Sequence, residues 1–378
     1  MLVLGTAAAA QTTLNPDISV VGDFRGYTHN DDSRLAEKEK LNLTDPSLEL
    51  VAGGYLNPYA RADAVIAWHG DDNAEIEEAY ASIVRGLPLG MNLRVGQYYL
   101  EFGRLNPIHE HAWSFIDRPL PHTEFFGEEG LRDVTIRTSF LLPTGNAYTE
   151  VMAGLLRGEA LIGHHHHDEE EAEEEHEHVE PDRWDPGVFG RLATSFSVSD
   201  HAELALGSSI LNSPYGVAEH HHDEEEETAD EATPQQLRAW VGGVDLKYKY
   251  KPSRYTSLQI EAEGLLRSEE QTEGDNLTSY GGYGYVDYRF HQKYNVGGIF
   301  EYVSRKSAVE HEDEEEAGES SVTVDTWRAG LFVGFAPIEE TSLVRLAGHY
   351  TDPDNADGFW EMTVQFVFSL GPHQPHNF

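Results

Sequence analysis

The fold of this chain is decided by residues 360–370, Trp-Glu-Met-Thr-Val-Gln-Phe-Val-Phe-Ser-Leu. Large apolar side chains stand at every even-numbered position, and Glu361, Thr363 and Gln365 stand between them. Successive side chains of a strand point to opposite sides of a sheet, so this alternation predicts a strand with one apolar and one polar face. About ten residues of tilted strand cross a bilayer. The segment predicts a lipid-facing barrel strand, and the edge strand of a soluble sandwich is the alternative.

Composition narrows the choice. The 378 residues include no cysteine, which excludes disulfides and thiolate metal sites. No run reaches the roughly 18 apolar residues of a membrane helix. A closed β-barrel is the other structure that satisfies every backbone group in lipid. The net charge of −41 argues against binding of nucleic acid or anionic lipid.

Alternating segments recur along the whole chain. They lie near 18–28, 47–56, 59–68, 75–86, 91–100, 132–142, 147–157, 188–198, 202–211, 237–250, 254–266, 280–290, 294–303, 324–335, 341–350 and 359–370. Seven tight turns alternate with eight mostly longer loops, as periplasmic turns and extracellular loops do in outer-membrane barrels. The pattern predicts an all-β fold: an antiparallel up-and-down transmembrane barrel of about sixteen strands, whose first and last strands pair.

The beginning of the chain differs from the rest. Residues 2–10 are small and apolar, which is typical of the tail of a secretory signal with its cleavage site. We therefore expect 1–11 to be a signal-peptide remnant and 12–378 to be a single barrel domain. A frayed apolar N-terminus is the alternative.

In its strand number, alternation, exported start and final Phe378, the chain resembles a bacterial porin of the general porin superfamily. This resemblance implies a location in the bacterial outer membrane, among lipid and lipopolysaccharide, and assembly as a homotrimer. It implies passive diffusion of small polar solutes with no required cofactor. An aromatic end is what the barrel-assembly machinery reads in such proteins. Here Phe378 lies beyond the last strand, so 360–370 is the alternative place for that signal.

The third long connection, 101–131, mixes aromatics, prolines and charges as a folded segment does. In porins the third loop bends into the barrel and narrows it, and this loop resembles that one in rank and length. Its metal-ligand candidates are His109, His111 and His122. Its charged constriction candidates are Glu110, Asp117, Arg118, Glu128 and Glu129. Imidazole and carboxylate together suit zinc or another divalent transition metal. The alternative is an ordinary constriction loop whose histidines bond the wall and whose arginines pair with the acids.

Three other loops, 158–187, 212–236 and 304–323, carry acidic tracts that hold 24 Asp and Glu residues and ten of the twenty histidines. The metal-ligand candidates in them are His164, His165, His166, His167, His176, His178, His220, His221 and His222. Such tracts are typical of weak, interchangeable metal sites, and their carboxylates concentrate divalent cations. We therefore expect them to capture zinc at the mouth of the barrel. A hydrophilic insertion that is indifferent to metal is the alternative.

Inward-facing charges predict the character of the lumen. The candidates are Arg94, Lys247, Glu261, Glu263, Arg289, Arg328 and Arg345. Both signs occur, so the lumen alone defines no ion selectivity, whereas the acidic loops favour cations at the mouth.

No enzymatic site is indicated. Ser114, His111 and Asp117 are close in sequence but lack the glycines of a nucleophile elbow. The sequence favours a channel with metal-capturing loops. A closed barrel that acts as a metal-binding receptor and a general porin with metal-indifferent loops are the alternatives.

Overall fold

The computed structural model describes residues 16–70, 73–162, 185–217, 236–272, 274–308, 321–338 and 341–371. The strands of these residues are β1 (Asp17–His29), β2 (Asn42–Leu43), β3 (Ser47–Asn57), β4 (Ala60–His69), β5 (Glu75–Ile83), β6 (Asn92–Tyr99), β7 (Arg132–Leu142), β8 (Tyr148–Leu156), β9 (Gly187–Ser199), β10 (Ala202–Val217), β11 (Gln236–Ser253), β12 (Thr256–Glu269), β13 (Leu277–Phe290), β14 (Tyr294–Ala308), β15 (Ser321–Ile338), β16 (Ser342–Pro353) and β17 (Phe359–Leu370). Two 3-10 helices span Pro88–Gly90 and Glu110–Ala112, and one α-helix, α1, spans Leu120–Phe126. Among the described residues, no helix is long and apolar enough to cross a membrane.

The long strands form one closed antiparallel barrel. From β3 onward each strand pairs with the next along the chain, and β1 pairs with both β3 and β17. The closing ladder runs from Val20 opposite Leu370 to His29 opposite Glu361. Closure gives the first and last strands a partner on both sides, so neither is left as a sheet edge. In the described part of the chain sixteen strands make the wall, which confirms the predicted number.

The structure contains one strand that was not predicted, and some strands are longer than predicted. The two-residue β2 lies in the first long loop and pairs with Gly26 and Tyr27 of β1. The β10–β11 ladder continues to Val217 opposite Gln236, several residues beyond the predicted strand end. Backbone pairing needs no alternation of side chains, so the sequence pattern ends before the ladder does.

The turn between β5 and β6 is longer than predicted. The strand ends at Ile83, three residues before the expected end, and Gly86 and Gly90 have φ angles of 90° and 68°. Glycine adopts this left-handed region at little cost, so the chain leaves the extended conformation here. Otherwise short and long connections alternate as predicted.

Strand β17 shows how the wall is built. Met362 and Phe366 keep 48% and 44% of their surface exposed, whereas Gln365, which lies between them in sequence, is fully buried. Other described strands likewise have exposed apolar residues on the outer face and buried polar residues on the inner face. The exposed apolar residues include Phe24, Val95, Ile136, Leu192, Ile210, Val244, Leu266, Val286, Phe300, Leu331, Leu346 and Val364. The buried polar residues include Asp23, Arg137, Arg191, Asp245, Glu261, Glu263, Asp287, Glu301, Arg328, Arg345 and Gln365. An apolar exterior around a polar interior is the arrangement that a bilayer requires.

Several predicted features lie outside the described residues. These are the signal-peptide remnant, Phe378 and all nine histidines named in the two tracts at 164–178 and 220–222.

Candidate functional site

The connection between β6 and β7 is closed at its neck by Asn106. The side-chain amide of Asn106 donates to the carbonyl oxygens of Leu100 and Leu131, each at 2.8 Å, and its oxygen accepts from the Leu131 amide at 2.8 Å. Asn106 is buried, so these bonds are shielded from water. The two ends of the loop are thereby held together, and residues 101–131 fold as one compact unit.

This unit lies inside the barrel, against inward-facing side chains of the far wall. Glu263 of β12 accepts from the backbone amide of Leu105 at 2.9 Å and contacts Nε2 of His122 at 2.8 Å. His122 is fully buried. The structure therefore places His122 in a loop-to-wall contact.

A second anchor joins α1 to strands β14 and β15. Glu301 accepts from the Leu120 amide at 2.7 Å, at the start of the helix. The same carboxylate accepts from the guanidinium of Arg328 at 2.7 and 2.9 Å, and Arg328 also donates to the carbonyl of Arg118 at 2.6 Å. Two inward charges on neighbouring strands, of which Arg328 was a predicted lumen residue, thus hold the loop.

A third anchor is Arg345 of β16, which is buried. Its guanidinium donates to the carbonyl oxygens of His111 at 3.0 Å and Phe115 at 3.3 Å, and also to that of Trp113. It further donates to the side chain of Gln365 at 2.9 Å. One inward-facing arginine therefore binds three loop carbonyls and fixes the middle of the loop.

Aromatic packing fills the space between the anchors. The ring of Phe115 lies 5.1 Å from that of Tyr285, 6.4 Å from that of Tyr283 and 6.3 Å from that of Phe332. These inward aromatics were not predicted, because ionisable residues were expected to form the inner faces of the strands. On β15, Phe332 lies four residues after the inward-facing Arg328. Side chains alternate between the two faces of a strand, so this even spacing puts Phe332 on the same inner face.

Two of the predicted constriction residues make ion pairs across the barrel. Glu110 contacts Arg25 of β1 and Arg118 of the loop, each at 3.1 Å. Asp117 lies 3.5 Å from Nδ1 of His349. Burial alone would raise the pKa of Asp117, but the hydrogen bond from His349 and the charge of Arg328 hold it below its usual value.

The other constriction candidates lie near the loop's exit. Glu128 is exposed, and Glu129 pairs with Arg132 at 2.9 Å. The hydroxyl of Ser114 donates to Asp287 at 2.9 Å, whereas His111 contacts a different wall strand. The residues that could be grouped as a catalytic set by sequence are therefore held by separate partners.

His109 and His111 do come together. Their rings lie 5.7 Å apart, and both approach Glu49 of β3: Nδ1 of His109 at 3.3 Å and Nδ1 of His111 at 3.2 Å. His109 also lies 3.6 Å from Glu77 and 3.4 Å from Glu78. Burial alone would lower the pKa of His109, but the carboxylates of Glu49 and Glu78 hold it well above its usual range.

The carboxylates of this cluster were not among the predicted metal ligands. Glu77 and Glu78 are adjacent, yet both reach the loop because β5 is irregular there: Val65 pairs with Glu78 and Ile66 with Ile76, so Glu77 is an extra residue. A bulge of this kind redirects side chains locally. Within β5, the Glu-Ile-Glu-Glu run interrupts the alternation and is the sequence signal of this bulge.

The remaining lumen candidates divide into paired and exposed groups. Arg94 donates to Glu101 at 2.9 Å, and Lys247 lies 3.4 Å from Glu261. Arg289, by contrast, is exposed. Of the predicted lumen residues, Glu263, Arg328 and Arg345 thus anchor the loop, and Arg94 pairs with its first residue, Glu101. The others line the wall.

Known proteins resemble the chain in sequence and in structure. No family model matches the chain. It is 28% identical over 381 residues to an uncharacterized protein of Aquifex aeolicus strain VF5, covering 96% of this chain and 75% of that one.

Similar solved structures include several outer-membrane proteins. The anion-selective porin from Comamonas acidovorans has a TM-score of 0.59 at 9% identity, covering 94% of this chain and 99% of that one. The channel DcaP of Acinetobacter baumannii has 0.54 at 12%, with 94% and 98% covered. OmpT of Vibrio cholerae in its trimer form has 0.55 at 8%, with 94% and 100% covered.

The likeness in fold agrees with the closed wall, the apolar exterior and the inserted loop. At these low identities, the likeness shows the fold alone. The apolar outer surface, which suits contact with lipid, is observed in this chain itself. The chain is therefore a porin-like β-barrel of the bacterial outer membrane.

Proposed function

We propose that the protein is a passive channel for small hydrophilic solutes and that loop 101–131 narrows its lumen. The observation that supports this most is the attachment of the loop to inward-facing Glu263, Glu301 and Arg345. A loop held inside a polar barrel leaves solutes a path lined by charges rather than an open cylinder. DcaP is described as a channel and the Comamonas protein as a porin, which agrees with this role.

Charge supports a preference for cations. The chain carries 67 acidic residues against 26 Lys and Arg, and the most acidic segments fall in the long connections between β8 and β9, β10 and β11, and β14 and β15. A negative field at the mouth raises the local concentration of cations. The Comamonas porin is described as anion-selective, so we expect this chain to differ from it in selectivity.

The His- and acid-rich tracts are the basis of a second element of the proposal: they capture divalent metal, zinc in the first instance, before it reaches the lumen. Ligand sets whose members are interchangeable bind metal weakly and exchange it readily, as a conducting protein needs. OmpT is described in a trimer form. By analogy, we propose that this chain is also a homotrimer, which size-exclusion chromatography with light scattering would test.

Single-channel recording tests the main proposal. Purified, folded protein in a planar bilayer should give stepwise conductance with a reversal potential that indicates cation preference. Micromolar zinc should alter the current, and a chelator should restore it. Conductance that does not change when zinc is added would identify a general porin with metal-indifferent loops. Protein that is folded but does not conduct would instead be the closed-barrel receptor.

A further inference from the structure

The cluster around His109 is more than a loop-to-wall contact. It combines two imidazoles of loop 101–131 with one carboxylate of β3 and two of β5, from parts of the chain up to 62 residues apart. We propose that Glu49, His109 and His111 bind a divalent transition-metal ion inside the barrel, with Glu77 and Glu78 as additional oxygen donors. The site is separate from the tracts of the outer loops.

The spacing of the donor atoms fits such an ion. One ligand atom from each of Glu49, His109 and His111 lies within 4.8 Å of the others. Around a tetrahedral zinc with bonds of about 2.0–2.1 Å, neighbouring ligand atoms are separated by roughly 3.3 Å. Each imidazole has about this spacing to one oxygen of Glu49: Nδ1 of His109 lies 3.3 Å from Oε2, and Nδ1 of His111 lies 3.2 Å from Oε1.

Charge balance favours a divalent cation. The three carboxylates, those of Glu49, Glu77 and Glu78, bring about three negative charges to a largely buried position. Arg118 pairs with Glu110, and Arg132 pairs with Glu75 and Glu129, rather than with the carboxylates of this cluster. Either protons on the imidazoles or one divalent ion can compensate this charge, and binding of the ion displaces those protons.

Two buried carboxylate oxygens of the cluster are directed at His109. Oε2 of Glu49 and Oε2 of Glu77 make no hydrogen bond within the described residues. Both face Nδ1 of His109, at 3.3 and 3.6 Å, and Glu77 is only 6% exposed. Buried carboxylate oxygens without a well-formed hydrogen bond are costly, and a metal ion between them and the imidazole would satisfy them.

The surroundings hold the donors in place. Tyr99 donates its hydroxyl to Oε1 of Glu77 and its backbone amide to Oε1 of Glu78, each at 3.2 Å. Its ring lies edge-on to that of His109, 5.2 Å away. His69, whose side chain is half-exposed, lies 3.6 Å from Glu77. Outer-shell bonds of this kind orient metal ligands, and His69 offers a further donor on the solvent side.

A second cluster of histidine and carboxylates is a weaker candidate for binding metal, although its composition is similar. Asp117, His349 and Glu361 also lie within 4.8 Å of one another. There, however, Arg34 pairs with Glu361, and the charge of Arg328 acts on Asp117. Guanidinium groups already compensate that site, which leaves less electrostatic gain for a metal ion.

Metal binding would join the loop to the wall. An ion held by β3, β5 and the loop adds a crosslink near His111, the residue whose carbonyl Arg345 binds. We expect zinc to stiffen the constriction and change conductance, and this consequence rests on the proposed channel function. The binding of the ion itself does not.

Hydrogen exchange with mass spectrometry tests the site on the full-length protein, with zinc alone as the probe. Amides of peptides covering 105–116 should exchange about tenfold more slowly at a zinc concentration ten times the dissociation constant, because the ion binds the closed form only. His111→Asn and Glu49→Gln should each abolish this zinc effect. His201→Asn, at an exposed turn between β9 and β10, should retain it. Peptides from the tracts report separately on capture by the outer loops.

Heat-modifiable migration on gels confirms that each variant is folded, and His109→Asn provides another variant if Glu49→Gln misfolds. Anomalous scattering at the zinc edge should place a peak among Glu49, His109 and His111. Unchanged exchange of 105–116 in the wild type at saturating zinc would overturn the site, as would an equal zinc effect in His111→Asn. If zinc protects the loop amides but the protein does not conduct, the metal site is supported and the proposed channel function is contradicted.

Discussion

At the scale of single residues, the inward-facing charged side chains have two different roles. Arg345 and Glu263 bind backbone groups of loop 101–131, whereas Arg289 is exposed in the lumen. A charged group that donates to several carbonyls stabilises a fold more than a neutral one, and its removal leaves those carbonyls without a donor. The same residue type therefore has different consequences at different positions of the wall.

Arg345→Met should loosen the loop without unfolding the barrel. Hydrogen bonds to charged groups contribute about 1.5–3 kcal/mol each, so we expect loop docking to weaken by about 3 kcal/mol. Amides of 111–115 should then exchange on the order of a hundredfold faster. Arg289→Met is the matched control and should leave their exchange unchanged. Equal exchange in the two variants would contradict the anchoring role.

Asp117 makes the loop sensitive to acid. Its pKa is lowered from 3.8 because the hydrogen bond from His349 and the charge of Arg328 outweigh its burial, and Arg25 contributes in the same direction. A depressed pKa stabilises the docked loop above about pH 4, and this contribution is lost as the pH falls through the lowered value. Exchange of amides 115–119, corrected for intrinsic rates, should rise below pH 3.8. In Asp117→Asn this acid-dependent step should disappear, and a step of the same size in the variant would exclude Asp117 as its source.

At the scale of elements, the wall is shaped to receive the loop. The bulge in β5 brings Glu77 and Glu78 to the same imidazole, and Gly243 of β11 leaves room for the ring of Phe102. A Cβ at Gly243 would lie 2.7 Å from that ring. Small residues and irregular pairing thus decide where the loop can approach the sheet closely.

Gly243→Val should displace the start of the loop. Overpacking costs about 1–3 kcal/mol, and the nearest obstacles are the side chains of Phe102 and Leu265. We expect altered single-channel conductance and faster exchange of 100–106. A Cβ at the neighbouring Gly242 would meet nothing within 4 Å in the described chain, so Gly242→Ala is the matched control. Wild-type conductance and exchange in Gly243→Val would show that Phe102 does not depend on this space.

At the scale of the whole molecule, two surfaces meet different solvents. The outward residues of the described strands are mainly apolar, whereas the inward residues include many charges and some aromatics. The acidic tracts fall, in sequence, between β8 and β9, β10 and β11, and β14 and β15. Lipid contact therefore sets the requirements of the wall, and water and ions set those of the lumen and the loops.

Val364→Arg tests the lipid-facing surface at the centre of β17. A charged residue at the bilayer midplane destabilises a barrel by about 2–4 kcal/mol. Urea unfolding in lipid vesicles should show a loss of this size. Ala356→Arg, in the exposed loop before β17, should have little effect. An equally small loss for Val364→Arg would mean that this position is not in contact with lipid.

Deletion of 164–178 and 220–227 should remove most of the zinc that the protein binds weakly. Binding by these tracts should also decrease as the pH falls through roughly 6.5, where histidine titrates. Equilibrium dialysis at pH 7.5 and 5.5 measures both effects, and His111→Asn should keep the weak sites. Zinc capacity that is independent of pH, or unchanged by the deletion, would contradict a role for these histidines.

Much of the fold follows from the sequence alone. Alternation at a period of two locates all sixteen wall strands in the described chain, because each strand separates lipid from lumen along its own length. The turn and loop lengths then order the strands, and β1 pairs with β17 as expected. These are local signals, and each can be recognised without knowledge of its partners.

The tertiary structure alone decided which residues meet inside. His109 and His111 share Glu49, whereas α1 carries His122 away to Glu263, although all three belong to one predicted ligand set. Contacts between a loop and a distant wall depend on strand register, on the bulge at Glu77 and on barrel closure. No local periodicity records these, because they are set only when the two ends of the sheet come together.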